Sequence, residues 1–146
     1  MTTQQQVEEK FMRSGAQTDP SSKKKLLAGR IISALPALFL LFDAVLKFIK
    51  PAEVVEGTLL LGYSANVILP LGIVLLACTV LYVIPQASVL GAILLTGYLG
   101  GAVASHVRVG NPLFTHTLFP VYVGALIWGG LFLRDDRLRA LIPLRS

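Results

Sequence analysis

From residue 26 onward the chain alternates long apolar runs with short breaks. The runs cover about 26–49, 67–84, 88–107 and 117–133. Each is apolar all round rather than along one stripe, and each approaches the roughly 20 residues a helix needs to cross hydrocarbon. The pattern predicts an all-α integral membrane protein, a four-transmembrane-helix bundle within 23–146. Residues 1–22 are rich in Gln, Thr, Ser, Glu and Lys. They hold too little apolar surface to order themselves by burial and are expected to form a flexible tail. The segment after Leu133 is basic and mildly amphipathic and is expected to lie along the membrane surface.

The breaks carry their own signals. Pro51 to Leu61 is too short to span, and Glu53 and Glu56 suit a first helical turn behind Pro51. Gly62 can end that turn in a left-handed conformation, so a short interfacial amphipathic helix is expected between the first two spans. Gly57 weakens its helical propensity. Asn66 and Thr117 are candidate N-caps, with Pro70 and Pro120 in the first turns that follow. Pro85-Gln-Ala and Gly110-Asn111-Pro112 read as turns, and Pro36 interrupts the ladder of the first span.

Small residues mark close packing. Gly97 and Gly101 are four apart, with Ala104, Ser105 and Arg108 near the same side. Gly124 offers a similar position in the fourth span. Such seams admit a neighbouring backbone, within one chain or between chains of an oligomer.

Composition agrees with the pattern. The chain is 54% hydrophobic and only 14% charged, against about a quarter charged in soluble domains. Its net charge of +5 does not read as a nucleic-acid surface, because ten of the thirteen Lys and Arg flank the apolar block. Lys10, Arg13, Lys23, Lys24, Lys25, Arg30, Arg134, Arg137, Arg139 and Arg145 lie on the side of the chain ends, and Lys47, Lys50 and Arg108 on the other. The asymmetry predicts that both termini are cytoplasmic. The first apolar run exceeds a signal-peptide core and is expected to be retained.

Little chemistry is spelled out. Cys78 stands alone inside an apolar run, so no redox pair exists within the chain. His106 and His116 are the only histidines, and a metal site completed by Asp43 or Glu56 would lack specific ligand spacing. Haem ligation, a dinucleotide loop, an activated serine and an inverted repeat find no support. What remains is a set of polar groups assigned to the outer face. Asp43 and Lys47 share a helix face and can pair, and Arg108 can reach toward Asp43 or a glutamate. The expectation is a polar recess lined by Asp43, Lys47, Glu56, His106, Arg108 and Tyr122.

Several stretches resemble the DoxX-like family of small bacterial membrane proteins. The main one is Gly91-Ala-Ile-Leu-Leu-Thr-Gly-Tyr-Leu-Gly-Gly-Ala-Val-Ala-Ser-His-Val-Arg-Val-Gly, followed by Pro112-Leu-Phe. Leu41-Phe42-Asp43 with Lys47 and Pro51 is similar, as are Leu61-Gly62-Tyr63, Leu81-Tyr82-Val-Ile-Pro85 and Trp128-Gly-Gly-Leu-Phe-Leu-Arg-Asp. The resemblance covers about residues 26–145. It implies a four-helix bundle in the bacterial inner membrane. The family name derives from subunits of a thiosulfate:quinone oxidoreductase, and other members resemble membrane partners of soluble redox enzymes. The family supplies no settled catalytic motif; Asp43, His106 and Arg108 match recurring positions. With no intrinsic redox cofactor, an oxidoreductase role would need a bound quinone or a soluble or membrane partner protein. Three readings stay open: a quinone-facing or anchoring subunit, a non-enzymatic assembly or stress-response partner, and a small-solute permease.

Overall fold

The computed structural model describes residues 2–16 and 20–141. Helices α1 (Thr3–Ala16), α2 (Pro20–Ile49), α3 (Ala52–Leu60), α4 (Ile68–Val83), α5 (Ser88–Arg108), α6 (Phe119–Arg134) and α7 (Asp136–Leu141) follow in order. A 3-10 turn at Ala65–Val67 leads into α4, and a π turn at Leu113–Thr117 leads into α6. Four segments are long and apolar enough to cross a membrane: Pro20–Ile49, Ala65–Val83, Ser88–Arg108 and Leu113–Arg134. They are the four expected spans with adjusted ends.

The adjustments have local causes. Residues 1–22, expected as a flexible tail, contain α1 and the start of α2. Gln, Glu and Lys are good helix formers, and a helix satisfies its backbone without burying anything. Thr2 N–H donates to Gln5 Oε1 at 3.2 Å, the returning arm of a capping box. Asn66 falls inside the 3-10 turn, and Thr117 closes the π turn, where its hydroxyl donates to the Asn111 carbonyl at 3.3 Å. Neither caps a helix through its side chain. The basic C-terminal segment folds as far as α7, and residues 142–146 lie outside the described residues.

The break after the first span forms as its residues suggest. Lys50 ends α2 with φ of 54°, an unusual conformation for a residue with a Cβ. Helix α3 ends on Gly62 at φ of 77°. Gly62 N–H donates to the Leu59 carbonyl and Tyr63 N–H to the Thr58 carbonyl, the two bonds of a Schellman cap.

The spans form a closed ring: α2 packs against α4 and α6, and α5 packs against the same two helices. Leu40, Ala44, Leu75, Leu95, Ile127 and Leu131 fill the interior. Large apolar side chains such as Leu38, Phe42, Ile73, Ile93 and Leu126 point outward, as expected where lipid is the solvent.

Glycines set the tightest contacts. A Cβ on Gly130 would sit 2.4 Å from Ser33 Oγ, and one on Gly29 would sit 2.8 Å from the Arg134 nitrogen, so α2 and α6 meet backbone to backbone. A Cβ on Gly91 would lie 2.2 Å from the Tyr82 nitrogen, which locks α4 to α5 beside their turn. Gly97 and Gly101 face outward, and a Cβ there would meet nothing within 4 Å, so of the two expected uses of this seam the contact within one chain is not made. Gly124 makes only ordinary contact with Leu99, at 3.8 Å. The reason is angular: two residues on from Leu95, Gly97 is carried about 200° round α5, away from the buried Leu95 and Leu99 face.

Gly130→Ala and Gly91→Ala should each lower stability by about 1–3 kcal/mol through overpacking. Gly97→Ala and Gly101→Ala should not lower the monomer's melting temperature in detergent, and their gain in helix propensity should raise it slightly. Thermal unfolding of the four variants checks the contrast.

Candidate functional site

The bundle has two unlike ends, one beside α3 and one beside α7. Every member of the expected recess, Tyr122 in the first turn of α6 included, belongs to the α3 end or the turns just below it. On α2, Lys47 Nζ donates to Asp43 Oδ2 at 2.5 Å across one helical turn. The Lys47 stem crosses the α4 backbone at Gly72, where an added Cβ would be 2.9 Å from Lys47 Cβ. The ion pair is therefore held in the α2–α4 seam, with Lys47 the better buried partner. Tyr98 on α5 lies within electrostatic reach of the Asp43 carboxylate. Its place there depends on which face of α5 turns inward, and no local motif carries that information.

Arg108 takes a different partner from the one expected. Its guanidinium donates to the Leu61 carbonyl at the end of α3 and lies 5.0 Å from the centre of the Tyr63 ring. Tyr63 Oη and Ser105 Oγ are hydrogen-bonded at 2.8 Å. Arg108 thus complements the negative end of the α3 dipole and latches α3 to α5. Among the described residues it forms no ion pair with Asp43 or a glutamate. A carbonyl at a helix end is a ready acceptor for a cation, but it has no signature in the sequence.

The imidazoles form a third group. Asn111 Nδ2 donates to His106 Nδ1 at 2.8 Å, which leaves the ring proton on Nε2. The His106 and His116 rings stand 6.0 Å apart, and His116 Nδ1 is bonded to Thr115 Oγ1 at 2.8 Å. The turn Gly110-Asn111-Pro112 brings the two histidines together, with Gly110 at φ of 72°. No group of three metal-ligating residues occurs among the described residues.

The recess expected from sequence therefore divides. Asp43 and Lys47 form one pair, Arg108 belongs to the α3 latch, and His106 stands with Asn111 and His116. No hydrogen bond or ion pair joins these three groups among the described residues. Glu56 is exposed on α3, outside any ion pair among them, and Tyr122 on α6 is about half exposed.

At the α7 end a second arrangement had no counterpart in the sequence reading. Arg134 Nη2 donates to the Tyr82 carbonyl at 3.0 Å, and its guanidinium lies 4.8 Å from the centre of the Tyr82 ring. Tyr82 Oη in turn donates to the Ile127 carbonyl at 3.0 Å. The Leu81-Tyr82 and Leu-Phe-Leu-Arg stretches marked both residues as parts of a resemblance, but nothing in either stretch named the other.

No curated protein matches the chain, and neither does any solved structure. A family model described as the DoxX-like family matches residues 31–130. That span runs from the first turns of α2 within the bundle to the Gly130 contact on α6, so it takes in the α3 latch, both histidines and the closed ring of helices. This chain is a membrane protein of the DoxX-like family.

Proposed function

We propose that the chain is a quinone-facing or anchoring membrane subunit of a redox system in the bacterial inner membrane, with both chain ends cytoplasmic. The observation that carries this reading is the His106–Asn111–His116 group at the α3 end. A quinone head group offers two carbonyl oxygens, which need hydrogen-bond donors and, on reduction, protons. Imidazoles at a membrane surface supply both. Fixed by Asn111, His106 presents its Nε2–H as the donor. Electrons come from a redox partner protein, and this chain binds and orients the head group. The orientation rests on the excess of Lys and Arg beside the chain ends.

A second reading draws on α3. That helix has no buried residue, and Leu59 and Leu60 are exposed beside the carboxylates of Glu53 and Glu56. Such a surface suits a non-enzymatic membrane partner that docks another protein.

Titration of the detergent-purified protein with a short-chain ubiquinone analogue, read by Trp128 fluorescence, should show saturable binding. His106→Ala should weaken it about tenfold, the loss of one good hydrogen bond, while helical content is unchanged. Equal affinity in the variant would refute the quinone reading. Arg108→Ala should insert normally but free α3, raising amide exchange at Gly62 and Tyr63. A variant with exchange as slow as the parent's would show that the guanidinium holds nothing.

A further inference from the structure

At the α7 end a cleft of about 530 Å³ opens between α2 and α4. Its walls are apolar: Ala34, Ala37, Leu38 and Leu41 come from α2, and Val80 and Val83 from α4. Thr79 also lines it, but its hydroxyl is spent on the Leu75 carbonyl. The polar groups gather at one extremity, where Arg30, Ser33, Tyr82 and Arg134 meet. From Arg30 to Leu41 the groove follows about 16 Å of helix. Its volume falls within the ~300–1,000 Å³ typical of small-molecule sites.

Two features ask for an anion there. Arg30 has no ion-pair partner among the described residues, and Arg134 meets only a carbonyl and a ring. The nearby carboxylates are engaged elsewhere. Asp135 Oδ1 accepts the Arg137 and Leu138 N–H groups as the cap of α7, and Asp136 pairs with Arg139. Ser33 is buried against Gly130 at the inner edge of this extremity, and the Tyr82 hydroxyl beside it, which donates to Ile127, can still accept from it. The two guanidinium groups are therefore what is left to meet a ligand.

We propose that this cleft binds a single anionic amphiphile. Its phosphate or carboxylate head sits between Arg30 and Arg134, and its acyl chain lies in the groove of α2 and α4. A neutral isoprenoid would fill the apolar walls but leave both guanidinium groups unanswered. A bare anion would leave the groove unanswered. Close approach at Gly29 and Gly130 builds the site, because it brings the end of α6 across α2 and so carries Arg134 to Tyr82. The site lies at the opposite end from the histidines, and its occupancy is independent of the quinone reading.

The buried Cys78 provides the test, since a thiol-reactive dye reports its exposure on melting. Protein in an uncharged detergent is heated with phosphatidylglycerol, oleate, phosphatidylcholine or sodium phosphate. Either of the first two should raise the melting temperature by roughly 5–10 °C at about 100 times its Kd. A shift with phosphatidylglycerol alone assigns a phospholipid, and a shift with oleate alone assigns a fatty acid. Phosphatidylcholine and sodium phosphate should produce no shift. Arg30→Gln, which disturbs no described contact, should abolish the shift, and so should Ala34→Phe, which fills the groove. Equal stabilisation by phosphatidylcholine, a shift from phosphate alone, or a full shift in Arg30→Gln would each overturn the proposal. So would native mass spectra of the unmodified protein that retain no anionic lipid after detergent washing.

Discussion

Helices in lipid gain nothing by hiding apolar surface from one another, because the solvent is as apolar as they are. What holds this bundle is contact at short range, and the shortest contacts run through glycine. Gly29 and Gly130 let α2 and α6 touch along their backbones, and Gly91 does the same for α4 and α5. All three contacts lie toward the α7 end. Arg134, Tyr82 and Ser33 stand where they do because these backbones are so near. With a methyl group in each gap the helices would separate, and the cleft and its two arginines would change shape together.

The α3 end is held by polar links instead. Lys47 crosses α4 at Gly72 while paired to Asp43, and Arg108 ties the end of α3 to α5. Few of these interactions add much stability, since desolvation offsets most of the Coulomb gain of a partly buried pair. Their effect is on register and placement. They fix where α3 lies, while the Asn111–His106 hydrogen bond sets how the turn carrying His116 meets α5. The two ends therefore divide the work of the fold. One is packed tightly around an apolar cleft, and the other presents proton-carrying groups near a membrane surface.

The spans were legible in the sequence because hydropathy is a one-dimensional property and survives folding unchanged. The Gly62 turn was legible for a similar reason, as a left-handed cap is decided by its own residue. Pairing between helices was not legible. Gly97 and Gly101 carry the spacing associated with helix contact, yet α5 turns Gly91, Leu95 and Leu99 inward. A small-residue seam indicates where a backbone can approach, not whether one does. Charge alone points Arg108 toward a carboxylate, whereas the partner that receives it is a carbonyl, which every residue possesses. The α1 helix is not legible from burial, because its Gln, Glu and Lys residues favour local hydrogen bonding with nothing buried.

The backbone contact between α2 and α6 positions the rest of the bundle, and disulfide trapping reads that contact directly. Gly29→Cys and Leu133→Cys are introduced together in a Cys78→Ser background, in membranes. A Cβ on Gly29 would lie 2.9 Å from Leu133 Cβ, close to the roughly 3.5–4.5 Å of a disulfide. Mild oxidation should give a rapid bridge within one chain, while Gly97→Cys paired with Leu133→Cys should give none. Failure of the first pair to cross-link within one chain, or equal cross-linking of both pairs, would contradict the architecture described above.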